Sequence, residues 1–143
     1  MIIEKYVSFE TAKLLKEKGF DEPCSHLYRN DGMHVYCGDA KLIVTSNTEI
    51  DTPDDWSSRT FTCTCPTLQM VKDWLRVEKK LYIQVDLDGW ALGGRRGYYI
   101  VIQGTDNDFE DMAPTVNEDD IVFFPTPEEA TEAAIRYCLE KLV

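Results

Sequence analysis

Residues 22–38, EPCSHLYRNDGMHVYCG, hold both histidines of the 143-residue chain and two of its five cysteines, in the order Cys24-x-His26 and His34-x-x-Cys37. Thiolate and imidazole are the usual ligands of a structural zinc ion, which needs four of them converging in a tetrahedron. An Asn30-Asp31-Gly32 turn makes this stretch a β-hairpin, and on a regular strand residues an odd number apart face opposite sides. His34 and Cys37 are therefore expected to diverge, whereas Cys24 and His26 share a face. A two-residue loop sets His26 opposite Cys37, and a four-residue loop sets Cys24 there. No regular register unites all four. Cys63 and Cys65 also share a face and could complete a set with Cys24 and His26, but the single residue between them is shorter than the usual zinc spacing. The expectation is no cofactor, with zinc on Cys24, His26, Cys37, Cys63 and Cys65 as the alternative.

A nucleophilic cysteine needs its pKa lowered by a base or a helix N-terminus. Cys65, just before the second expected helix, is best placed, yet no catalytic signature surrounds it, and a free cysteine is most often a small buried hydrophobe. No residue is assigned a catalytic role, and the chain reads as a non-enzyme, with a thiol-dependent enzyme as the alternative. GWALGGRRGYY has the glycines of a phosphate loop but runs into a strand instead of a helix. It is expected to be a hairpin turn whose Arg95 and Arg96 are free to meet an acidic surface. DNDFED, at 106–111, offers alternating carboxylates without the glycine and glutamate of a calcium loop. Trp56 and Trp90, both in expected turns, are candidate partner contacts.

Charge narrows the partners. The formal net charge is −11, and residues 104–143 carry 11 acidic side chains against Arg136 and Lys141. Such a surface repels phosphates, so direct nucleic-acid binding is not expected. A protein partner with a basic surface is. Asp106, Asp108, Glu110 and Asp111 are the carboxylates placed to meet it. MIIEKYVSFE has no apolar leader core, and the longest apolar run is four residues, so neither export nor a membrane span is expected. An odd number of cysteines then fits reduced thiols in a cytoplasm.

The elements that must position these residues announce themselves at their ends. Ser8 caps a helix over 9–18, Val7 can staple onto Ala12, and Gly19 with Phe20 stops it. KLIVTS (41–46) and residues 60–65 read as strands. A helix follows Pro66, with Thr67 as cap and Leu68, Val71, Trp74 and Leu75 inward, ending near Glu78-Lys79-Lys80. LYIQVDL (81–87) alternates as a half-buried strand, YYIVIQ (98–103) returns antiparallel, and residues 104–120 are irregular. IVFF (121–124) is a short buried strand. Thr126-Pro127-Glu128-Glu129 opens a last helix with Ala130, Ala133, Ala134, Tyr137, Cys138 and Leu142 inward. The fold class is α+β in one domain, residues 1–143: an antiparallel sheet of about five to seven strands with three helices, the second and last packed on one face.

YVSFETAKLLKEKGFDEPC, PTLQMVKDWLR followed by YIQV, and EEATEAAIRYCLEKL occur in an order that resembles a group of small proteins of gut Bacteroidetes and their prophages. The resemblance covers roughly half the chain. It implies a mobile-element origin and a bacterial cytoplasm, and because the group carries no assigned activity it transfers no functional residue.

Overall fold

The computed structural model describes residues 4–36, 45, 61–92, 95–107, 110–111, 115–117 and 120–143. The chain divides into two compact units, Met1–Thr67 and Leu68–Val143. Among the described residues the class is α+β with three helices, and the antiparallel strands form separate ladders where one sheet was expected. Alternation tells which way a side chain points and not which strand lies beside which.

In the first unit, α1 (Phe9–Glu17) begins where Ser8 Oγ accepts from the Thr11 amide at 3.3 Å. It ends in a full Schellman motif: Phe20 N–H donates to Leu15 O at 2.9 Å and Gly19 N–H to Lys16 O at 3.2 Å, with Gly19 at φ +90°. Phe20 and Leu15 are both buried. A three-stranded ladder, β2-β1-β3, is built from β1 (His26–Arg29), β2 (His34–Tyr36) and β3 (Phe61–Thr64). Most of KLIVTS lies outside the described residues.

The β1–β2 turn decides the register. Gly32 N–H donates to Arg29 O at 2.9 Å, Arg29 N–H donates to Met33 O at 3.0 Å, and Gly32 sits at φ +82°. This is a three-residue loop ending in a left-handed residue, neither the two- nor the four-residue loop weighed from the sequence. The pairs are therefore His26 with Tyr36, Leu27 with Val35, and Tyr28 with His34. On β1's other edge Leu27 pairs with Thr64 and Tyr28 with Cys63.

In the second unit, α2 (Leu68–Glu78) buries Leu68, Val71, Trp74 and Leu75, and its exit turns on Lys80, a non-glycine residue at φ +58°. A long hairpin follows, β4 (Leu81–Leu92) with β5 (Arg95–Gly104), and β6 (Glu110–Asp111) adds to β5. Both α2 and α3 pack on this sheet. Ile83, Ile100 and Ile102 are buried while Tyr82, on the opposite face, is 46% exposed. Leu87, at the far end of the inner row, is 45% exposed.

Three expectations are corrected here. DGWALGGRRG is mostly strand, because pairing continues to Asp88–Gly97 and resumes at Leu92–Arg95. The acidic 104–120 stretch contains β6 and β7 (Thr115–Asn117), which pairs with β8 (Asp120–Ile121). Ladder bonds are made by the backbone, and a short strand at a sheet margin tolerates charge. IVFF is not one buried strand: Ile121 closes β8, Val122 to Phe124 are half-buried, and Phe124 bridges Tyr98.

The last helix, α3 (Pro127–Tyr137), is capped by Thr126 Oγ1 accepting from the Glu129 amide at 3.2 Å, and it runs into a π-helical turn, Cys138–Leu142. Its buried stripe is Ala130, Thr131, Ala134, Ile135, Cys138 and Leu139. Ala133, Tyr137 and Leu142, expected inward, are half-buried, and Thr131, Ile135 and Leu139 lie in the stripe instead.

A Cβ placed on Gly32 would lie 3.1 Å from Phe9 Cδ2, and its φ is one that L-residues disfavour. Gly32→Ala is expected to lower unfolding stability by about 1–2 kcal/mol, measured by urea denaturation. Unchanged stability would mean that the loop adopts another turn.

Candidate functional site

Cross-strand partners point to the same side of a sheet. The three-residue loop therefore places His26, Tyr28, His34 and Tyr36 on one face of the β1–β2 hairpin. Part of that face is covered. The Tyr28 ring lies 5.3 Å from Phe9 of α1, its hydroxyl donates to Val7 O at 2.5 Å, and its neighbour Cys63 is fully buried. His26, His34 and Tyr36 carry the face out to solvent. Tyr6 joins them from the segment before α1, held there by bridge pairing with Thr67 and by the Val7 amide on Pro66 O at 3.1 Å.

The rings form one contact network. Ring centroids lie 4.5 Å apart for Tyr6–His26, 4.9 Å for Tyr6–His34, and 4.8 Å for both His26–His34 and His26–Tyr36. Through it runs a hydrogen-bonded chain: Tyr6 Oη to His26 Nε2 at 3.1 Å, and His26 Nδ1 to His34 Nε2 at 2.7 Å. A neutral imidazole has one donor and one acceptor nitrogen. If His26 donates from Nδ1, its Nε2 accepts from the tyrosine, and the three groups are all satisfied without a charge.

Electrostatics favours that uncharged state. Burial lowers the His26 pKa, and both burial and the neighbouring His26 lower that of His34. Burial, then Glu4, Cys65 and Tyr36, raises the Tyr6 phenol, keeping it protonated. Arg29 and Asp31 pair at the base of the loop, and Asp31 Oδ1 accepts from the Met33 amide at 3.1 Å. That backbone bond, ahead of Arg29, lowers the Asp31 pKa.

The sequence-derived sets are placed as follows. Cys24, Cys63 and Cys65 are buried at 5%, 0% and 1% exposure, and Cys37 lies outside the described residues. The Cys24 thiol approaches Glu22 O at 3.5 Å and that of Cys65 approaches Val7 O at 3.9 Å. Burial pushes the Cys63 thiol up to about 11, outweighing the pull of Lys16 and Lys13. Among the described residues no group of three or more His, Cys, Asp or Glu side chains is arranged to hold a metal ion. Trp90 stands on β4 and Arg95 and Arg96 on β5, in strands where turns were expected. Glu110 and Asp111 form β6, Asp106 is exposed, and Trp56 and Asp108 lie outside the described residues.

Sequence reasoning missed Tyr6 and Tyr36 as members of a site and set His34 aside as diverging from Cys37. The available signal was Gly32, whose positive φ after Asn-Asp favours the three-residue loop and with it the Tyr28–His34 pair.

Two outcomes follow from the charge states. Imidazoles neutral in the fold and ordinary in the unfolded chain leave the unfolded state binding more protons once the pH drops below 6.5, the ordinary histidine value. Their contribution to stability is full above that pH and is lost as the pH falls toward the folded values. NMR titration is expected to give both imidazoles midpoints below 6.5, and a midpoint at or above it would contradict the network. Alkylation of the native protein followed by peptide mapping is expected to leave Cys63 and Cys65 unmodified at pH 8. Rates matching those in denaturant would mean that these thiols are accessible.

Comparison with protein-family models, with curated proteins and with solved structures finds no match to this chain.

Proposed function

We propose that this chain is a non-enzymatic binding protein of a bacterial cytoplasm, with the mobile-element origin its sequence resemblance implies. It docks a protein partner on the imidazole and aromatic face of the β1–β2 hairpin. The observation that carries this reading is the exposure of that face: Tyr36 is 52% exposed beside exposed His34 and half-buried His26 and Tyr6. Tyrosine brings large contact area with few rotatable bonds, and aromatic residues and methionine are enriched at protein interfaces. The network already fixes the rings, so little rotamer freedom remains to be lost on docking. Among the described residues no helix is long and apolar enough to cross a membrane.

Charge selects the partner's chemistry. With a net charge of −11, a partner with a basic surface is attracted at long range and nucleic acid is repelled. The acidic residues after position 103 steer, and the hairpin face binds. The reading is tested by replacing Tyr36 with the photo-crosslinker p-benzoylphenylalanine and irradiating cells of the native host, with exposed Glu17 of α1 as the control position. The expected result is a discrete protein adduct from position 36, absent from position 17, lost with His34→Ala and weakened by salt in lysate. Equal labelling from both positions, or none from position 36, would overturn the reading.

A further inference from the structure

We propose that His26 and His34 together chelate one divalent transition-metal ion of the nickel, copper or zinc class on the open face of the β1–β2 hairpin. The site shares only His26 with the cysteine-rich set considered above and stands independently of any protein partner on the same face.

The geometry starts from two imidazole nitrogens turned toward each other, His26 Nδ1 and His34 Nε2, at 2.7 Å. Metal–imidazole bonds of about 2.0–2.1 Å place two nitrogen ligands of one ion about 2.9 Å apart at a right angle and about 3.3 Å apart in a tetrahedron. The pair therefore needs to open by less than about 1 Å, replacing the shared hydrogen with the ion. Backbone rearrangement is not required. His34 is exposed, on a strand whose register the Tyr28–His34 pair fixes, so its ring can turn while its Cα stays in place.

The protons balance without an outside acid or base. Two neutral rings carry two N–H groups, one of them between the rings. Metal binding needs His26 Nδ1 and His34 Nε2 bare, so one ring changes tautomer through water and no net proton leaves. The hydrogen of His26 then sits on Nε2, 3.1 Å from Tyr6 Oη, which accepts it. Metal-bound histidines characteristically donate their other N–H to an oxygen, which fixes tautomer and ring orientation. Tyr6 already occupies that place and is held to the ring by a 4.5 Å centroid contact. The remaining coordination positions face solvent and take water, in keeping with the absence of a third metal-ligating side chain among the described residues.

Tag-free full-length protein titrated with nickel(II) in a calorimeter is expected to bind one equivalent. His34→Ala and His26→Ala should each weaken binding at least tenfold. Tyr6→Phe should weaken it by about tenfold, the low end of what outer-shell partners contribute. Nickel should also broaden both imidazole NMR resonances of the wild-type protein selectively. Should His26→Ala fail to fold, the exposed His34→Ala and His34→Gln carry the comparison. Absent binding, or affinity unchanged by the His34 variants, would overturn the proposal. A thiolate-to-metal absorption band in the cobalt(II) form would also do so, by assigning the metal to cysteine.

Discussion

The hairpin register, set by three residues, is the constraint on which the first unit's surface depends. Asn30, Asp31 and Gly32 make a loop that ends left-handed, so Tyr28 faces His34 and His26 faces Tyr36. A loop one residue shorter or longer would turn His34 to the opposite face, since strand side chains alternate. The imidazole hydrogen bond and the Tyr6 contacts would then have no geometry in which to form. Gly32 meets a second demand at the same point, because a Cβ there would lie only 3.1 Å from Phe9 Cδ2 of α1. Loop conformation and helix packing thus converge on one glycine.

The site lies where a covered sheet face becomes an open one. Tyr28 and Cys63 are buried next to α1, and the same row of side chains continues into His34 and Tyr36. Tyr28 anchors it through its hydroxyl on Val7 O, so the exposed rings are mounted on a buried one. This arrangement gives the two imidazoles an environment dry enough to disfavour charge and open enough to be reached. Cys63 sits on the dry side and is a poor nucleophile there, pushed far from the thiolate form.

Legibility in the sequence followed the range of the interactions. The start and stop of α1 and the start of α3 were readable because caps act over three or four residues: Ser8 on Thr11, Phe20 on Leu15, Thr126 on Glu129. The burial of Ile83 and the exposure of Tyr82 were readable from alternation. Strand partners were not, since nothing local in residues 61–64 says that they lie beside β1. Glycines in DGWALGGRRG suggested a wide turn, whereas strand pairing reaches Leu92 and Arg95. The candidate site was half legible. The two histidines stood out, but pairing them needed the loop length, and Tyr6 is twenty residues from the ring it touches.

The strands around β1 also differ in how far apart they lie along the chain. His26 and His34 are eight residues apart, whereas the pairing of Leu27 with Thr64 spans most of the first unit. Loop-closure entropy makes the longer connection costlier by about 1.4 kcal/mol. The imidazole contact therefore needs only a hairpin closure, the cheaper of the two, whereas β3, with the Tyr6–Thr67 bridge beside it, makes the long-range closure that holds the hairpin in place.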